Sequence, residues 1–107
     1  MSHALGMIEV YGFTTAIVTA DAAAKAADVE IVAIDKNKPA NADKCEVPLV
    51  MVVKMEGSED AVEAAMQAGI KAARDRGRYI TSKLIARLSE DAEWFARLDA
   101  TGHDKLR

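Results

Sequence analysis

The stretch Ala4-Leu5-Gly6-Met7-Ile8-Glu9-Val10-Tyr11-Gly12, with the alanine-rich run from Thr14 to Ala27 behind it, decides how this chain folds. Its first part predicts a strand over Ala4–Tyr11, with Leu5, Met7 or Ile8, and Val10 available to a buried face and Gly12 as the turn. Its second part predicts a helix over 14–27, with Ile17, Ala20, Ala24 and Ala27 at spacings of three and four. Most of that helix is methyl groups. Its backbone can therefore lie close to a partner surface, and it needs a tight one because it has little apolar bulk of its own. A strand, a glycine and a small-residue helix make compact architecture and not the mouth of an active site.

Working outward, Val29 to Lys36 predicts a second strand, with Val29, Ile31 and Ala33 on one face and Glu30, Val32 and Ile34 on the other, covered on much of both sides. From Asp35 to Pro48 the chain turns polar, carries Pro39 and Pro48, and keeps no helical or alternating period. It reads as a loop, longer than the roughly 2–5 residues of a hairpin connection, and as the segment that carries specificity. Leu49 to Met55 is nearly continuous aliphatic and predicts a central strand, with Glu56-Gly57 as a turn. Ser58 then caps a helix whose Glu59 and Asp60 complement its positive end. Val62, Ala65, Met66, Gly69, Ile70 and Ala73 form one apolar stripe along it, closed by Arg74, Arg76 and Gly77. Tyr79 to Ile85 is a fourth strand. Ser89-Glu90-Asp91-Ala92 repeats the capping chemistry and opens a short helix with Trp94, Phe95 and Leu98 as its apolar face. The order is β-α-β-loop-β-α-β-α. It predicts an α+β sandwich of ferredoxin-like β-α-β-β-α-β type, a four-stranded antiparallel sheet with two helices on one face and a short C-terminal helix. The other sheet face is left for the last helix, another subunit or solvent.

The totals narrow the function. A chain of 107 residues, half hydrophobic and with a net charge of −3, predicts one globular domain. It has no basic tract, and its aromatic content is only 5%, so it offers neither the charge footprint nor the stacking surface of a nucleic-acid binder. Its single cysteine excludes an internal disulfide framework and fits a reducing compartment. No apolar run approaches the ~20 residues of a membrane span, and the N-terminus has no basic-then-apolar leader. The expectation is a soluble intracellular protein with no membrane partner. Nor is there a glycine-rich phosphate loop, a nucleophile–base pair or a zinc-type His–Cys cluster, so an enzyme is not expected.

Ala4-Leu5-Gly6-Met7-Ile8-Glu9, Gly12, and Ala20-Asp21-Ala22-Ala23-Ala24-Lys25-Ala26-Ala27 resemble the signature of bacterial microcompartment (BMC-domain) shell proteins. Ala61-Val62-Glu63-Ala64-Ala65 with Ala68-Gly69 is similar to the family's second helix, and the parts follow the family's order. The resemblance runs from Ala4 to Leu98, which implies a single BMC domain over 4–98 and a polar tail over 99–107. It further implies a homohexameric tile in the shell of a cytoplasmic bacterial microcompartment. Such tiles pack with copies of themselves and other shell proteins around encapsulated enzymes, with metabolites crossing a central pore. Lys25 takes the place of the family's edge lysine. Arg87 resembles the edge arginine, although Ala86-Arg87-Leu88-Ser89 replaces the family's Pro-Arg-Pro-His. The pore loop falls on Lys36, Asn37, Lys38, Pro39, Ala40, Asn41, Ala42, Asp43, Lys44 and Cys45, longer than the family's loop and without its glycines.

Cys45 has two readings. It is an inert thiol, or it is a metal ligand: six copies around a pore would gather thiols that one chain cannot supply, and glycyl-radical-type relatives carry an iron–sulfur cluster through a cysteine in this loop. Lys36, Lys38 and Lys44 against Asp35, Asp43 and Glu46 balance the loop's charge, so no ion selectivity follows. His3 and His103 read as surface residues. A competing function on the same plan is a small-molecule-binding regulatory domain. Assembly separates the two, because a tile forms hexamers and then sheets, whereas a regulatory domain stops at a small closed oligomer.

Overall fold

The structure, a computed structural model, describes residues 3–37 and 49–98. Strand β1 (Ala4–Tyr11) leads into helix α1 (Phe13–Ala26), β2 (Glu30–Asn37), β3 (Val50–Gly57), helix α2 (Glu59–Asp75) and β4 (Tyr79–Ile85). A 3₁₀ turn over Glu90–Ala92 then runs into a single helical turn, α3 (Glu93–Ala96). The strands form one sheet in the order β2-β3-β1-β4, each neighbour antiparallel, as the ferredoxin-like plan requires. Two expected boundaries move. Glu56-Gly57 belongs to β3 and makes no turn, because both pair with Ala4 and Leu5. Asn37, expected in the pore loop alone, completes β2 opposite Val50, after Lys36, expected at the junction of strand and loop, which pairs with Met51.

Alternation divides β1 cleanly. Ala4, Ile8 and Val10 join the main core with Met51, Val53 and Met55 of β3, beneath both helices. Leu5 turns the other way and packs with Leu88 and Ala96. Gly6 lies on the helix side, where a Cβ would sit 2.7 Å from Met66 Sδ and Val62 Cγ1, so only glycine lets α2 down onto β1. Gly12 adopts φ 89°, and its N–H donates to Leu49 O at 2.7 Å, which fixes the turn between β1 and α1.

The two helices differ in legibility. In α2 the expected stripe is buried except for Ile70, which is half-buried against the core, and Ser58 Oγ accepts from the Ala61 N–H at 3.2 Å. Gly69 meets α1 there, since a Cβ would stand 2.9 Å from Ile8 Cδ1 and 3.3 Å from Thr19 O. In α1 the buried residues are Thr15, Ala16, Thr19, Ala20 and Ala23, while Ile17 and Ala24 face outward. Spacing alone misplaces this face because nearly every position of the helix is small.

In β2 the register shifts between Ile31 and Ala33. Val32 is the extra residue of a bulge, so Ile31 and Ile34 both reach the helix-side core while Ala33 and Asp35 pair with Lys54 and Val52 on the opposite face. The simple alternation expected for this strand therefore fails at its midpoint, and β2 lies at the sheet edge.

Candidate functional site

The sheet face opposite α1 and α2 carries charge. Met7 and Glu9 of β1, Val52 and Lys54 of β3, Asp35 of β2 and Lys83 of β4 line an open cleft of about 550 Å³, with Phe95 as its wall on the α3 side. Lys54 is its fixed point and is only 1% exposed. Its ammonium donates to Phe95 O at 2.8 Å and to Leu98 O at 3.4 Å, lies 3.5 Å from Asp35 Oδ2, and sits 4.1 Å from the centre of the Phe95 ring. Carbonyls at the C-terminal end of α3 thus receive a buried cation, the charge that the negative end of a helix favours. Asp35 is held from its own strand by the Lys36 N–H at 2.8 Å.

A second charged group lies where β1 begins and β3 ends. His3 Nε2 is 3.3 Å from Glu56 Oε1 and 3.3 Å from Glu93 Oε2. Arg97 reaches Glu56 at 3.3 Å, Glu93 at 3.4 Å and Glu30 at 3.5 Å. Glu56 is 7% exposed. Burial, then the neighbouring Glu93 carboxylate, raises its carboxyl above the ordinary range, against the lowering pull of His3 and Arg97. His3 is therefore not the plain surface residue expected.

The C-terminal turn departs from expectation in two further ways. Trp94 is 67% exposed and Phe95 38%, so Ala96 is the residue that packs into the core, not an aromatic face. Ser89 caps the turn with no side-chain hydrogen bond, and a 3₁₀ turn results in place of a regular helix start. In α1, Phe13 and Ile17 are exposed on one face at a spacing of four, and exposed Leu49 accepts the Gly12 N–H beside them. This apolar patch adjoins the stem of the 38–48 connection.

Of the residues singled out from sequence, Lys25 lies exposed near the end of α1, its Nζ 2.8 Å from Asp21 Oδ2 one turn back. Arg87 is exposed just beyond β4. Lys36 and Asn37 sit in β2, while Lys38, Pro39, Ala40, Asn41, Ala42, Asp43, Lys44 and Cys45 lie outside the described residues. Lys54, Glu56 and Arg97 were not anticipated. The available signal was Lys54 itself, a charge inside an otherwise aliphatic central strand.

Residues 4–88 match the BMC domain, over most of the chain. This chain belongs to the BMC-domain family of bacterial microcompartment shell proteins. It is 39% identical over 94 residues to the shell protein EutK of Salmonella typhimurium, a match covering 88% of this chain but only 52% of EutK. The chain thus spans about half the length of that relative. To the shell protein PduA of Citrobacter freundii it is 39% identical over 91 residues, covering 85% of this chain and 88% of PduA. The carboxysome shell protein CcmK2 of Synechocystis is 33% identical over 96 residues, covering 88% of this chain and 84% of CcmK2. A microcompartment protein from Desulfitobacterium hafniense has a similar structure, with a TM-score of 0.70 at 27% identity, covering 85% of this chain and 47% of that one. Among the described residues of this chain no helix is long and apolar enough to cross a membrane.

Proposed function

We propose that this BMC-domain protein forms a homohexameric tile that packs laterally with its own copies and other shell proteins around encapsulated enzymes in the bacterial cytoplasm. The observation that carries the reading is the apolar patch of Phe13, Ile17 and Leu49, which a single subunit leaves exposed. Burying such side chains against a neighbour contributes about 1.5–3 kcal/mol each when burial is complete. The patch adjoins the stem of the 38–48 connection, so a subunit contact made there would bring the connections of neighbouring copies toward one another. In this reading the loop lines a central pore for metabolites, and its entrance is set by Lys36 and Asn37 at the end of β2. Lys25, exposed on α1, lies along its counterpart on the adjoining hexamer, with Arg87 at the same rim. The domain extends over 4–98, because Lys54 ties residues 95–98 to the sheet beyond the matched span. The role is structural and not enzymatic.

Native mass spectrometry and electron microscopy test this. The parent chain should be hexameric and form sheets, Ile17→Glu should be monomeric, and Lys25→Ala should keep the hexamer while losing sheets. A parent that stays monomeric, or an Ile17→Glu variant that remains hexameric, contradicts the assignment. Cys45, on that loop, is proposed as a candidate ligand of an iron–sulfur cluster shared between subunits. Absorbance of anaerobically purified protein decides it, since a colourless parent leaves only a thiol.

A further inference from the structure

The start of β1, the end of β3 and the first residue of α3 bring His3, Glu56 and Glu93 to one point. One ligand atom from each lies within 4.8 Å of the other two. His3 Nε2 is buried and makes no hydrogen bond, although two carboxylate oxygens stand 3.3 Å away. Glu56 Oε2 is also buried with no N–H or hydroxyl donor beside it, on a side chain that is only 7% exposed, so the Glu56 and Glu93 carboxyls can bond one another only by sharing a proton. Leaving a buried polar atom unsatisfied costs about 1–3 kcal/mol. The arrangement lacks something that accepts lone pairs from an imidazole and two carboxylates together.

We propose that His3, Glu56 and Glu93 bind one zinc ion, with water as the fourth ligand. Distances favour it. With zinc–nitrogen and zinc–oxygen bonds of about 2.0–2.1 Å, adjacent corners of a tetrahedron stand about 3.3–3.4 Å apart. Both His3–carboxylate separations, 3.3 Å each, match that edge, and the three ligand atoms, all within 4.8 Å of one another, reach it fully once an ion draws the two carboxylates together. An imidazole in the set selects zinc over calcium or magnesium, which take oxygen ligands.

Arg97 supplies the outer layer. Its Nε lies 3.4 Å from Glu93 Oε1 and so leaves Oε2 to face His3, and its Nη2 holds Glu56 Oε1 at 3.3 Å. Donors of this kind orient metal-ligating carboxylates. With Glu30 at 3.5 Å from Arg97, three carboxylates face one guanidinium, and a divalent ion brings the cluster to neutrality with His3 uncharged. Because the ligands come from the beginning, middle and end of the domain, the ion would clip α3 to the ends of the two central strands. It would thereby fix the carbonyls that Lys54 holds.

The test is calorimetric titration of Zn²⁺ into chelator-treated, full-length protein in a Cys45→Ser/His103→Ala background, which removes the other soft ligands. One zinc per chain is expected, and His3→Ala and Glu93→Gln should each weaken binding at least tenfold with circular dichroism unchanged. Should His3→Ala misfold, Glu93→Gln decides alone, since Glu93 is only half-buried. Absence of zinc binding in the background protein, or an affinity that a folded variant leaves unchanged, overturns the proposal.

Discussion

Replacing Lys54 with methionine isolates what holds the C-terminal turn on the sheet. The change keeps an unbranched stem of similar volume, a swap that cores tolerate at under about 1.5 kcal/mol when no charge is involved. It removes the 2.8 Å bond to Phe95 O, the longer one to Leu98 O, the position over the Phe95 ring and the approach to Asp35. A hydrogen bond from a charged donor contributes about 1.5–3 kcal/mol. Breaking a buried ion pair costs about 3–5 kcal/mol. Asp35 keeps the Lys36 N–H, so the lower part of that range applies, and the loss is about 3 kcal/mol. Most of the broken contacts lead to residues 95–98, so the loss falls on the docking of α3 and not on the sheet. At about 1.4 kcal/mol per factor of ten, the released form gains about 150-fold. Hydrogen exchange read by mass spectrometry should show the Glu93–Leu98 amides exchanging about 100-fold faster, with β1 and β3 within a few-fold of the parent. Trp94, the sole tryptophan, gives a second readout as a drop in fluorescence anisotropy. Parental exchange rates and anisotropy in α3 would refute the idea that Lys54 is its anchor.

Gly69→Leu should overpack the contact with Ile8 and Thr19 by about 1–3 kcal/mol or more, lowering the melting temperature by at least 4 °C or so. Gly69→Ala should fall close to the parent, its helix-propensity gain of about 1 kcal/mol offsetting the crowding at Thr19 O. Glu56 titrates above its model-peptide value of 4.5, so the folded state retains a proton that the unfolded chain has released. Stability should then fall as pH rises from 4.5 through the raised value, and Glu56→Gln should flatten that decline. Urea midpoints measured against pH with chelator present check this, and a parent that gains stability across the window contradicts it. Cys45→Ser should leave the oligomer intact and abolish oxidative crosslinks between subunits on non-reducing gels, whereas crosslinks that persist would mean the thiol is not their source.

Elements with contrast along the chain were legible. The α2 stripe, its Ser58 cap, the four strands and the role of Gly69 follow from large and small residues alternating at regular spacing. Where contrast fails, so does the reading. In α1, threonine and alanine are near-equivalent by size, and the buried face settles on Thr15, Thr19 and Ala23 because α2 and the sheet approach from that side. In β2, one bulged residue, Val32, exchanges the faces of everything after it, and alternation carries no mark of such an insertion.

The charged residues show the same division. Sequence by itself determined the β-α-β-β-α-β order, the glycine turn that starts it and the family signature, because each rests on neighbours along the chain. Only the tertiary structure decided that Lys54 would be buried against the carbonyls of Phe95 and Leu98, more than forty residues later. It alone brought His3 beside Glu56 and Glu93. Those contacts depend on the antiparallel pairing of β1 with β3 and on where the last turn docks, and the physical reason they are hidden is that a charge gains its partner through three-dimensional proximity, which local periodicity does not encode.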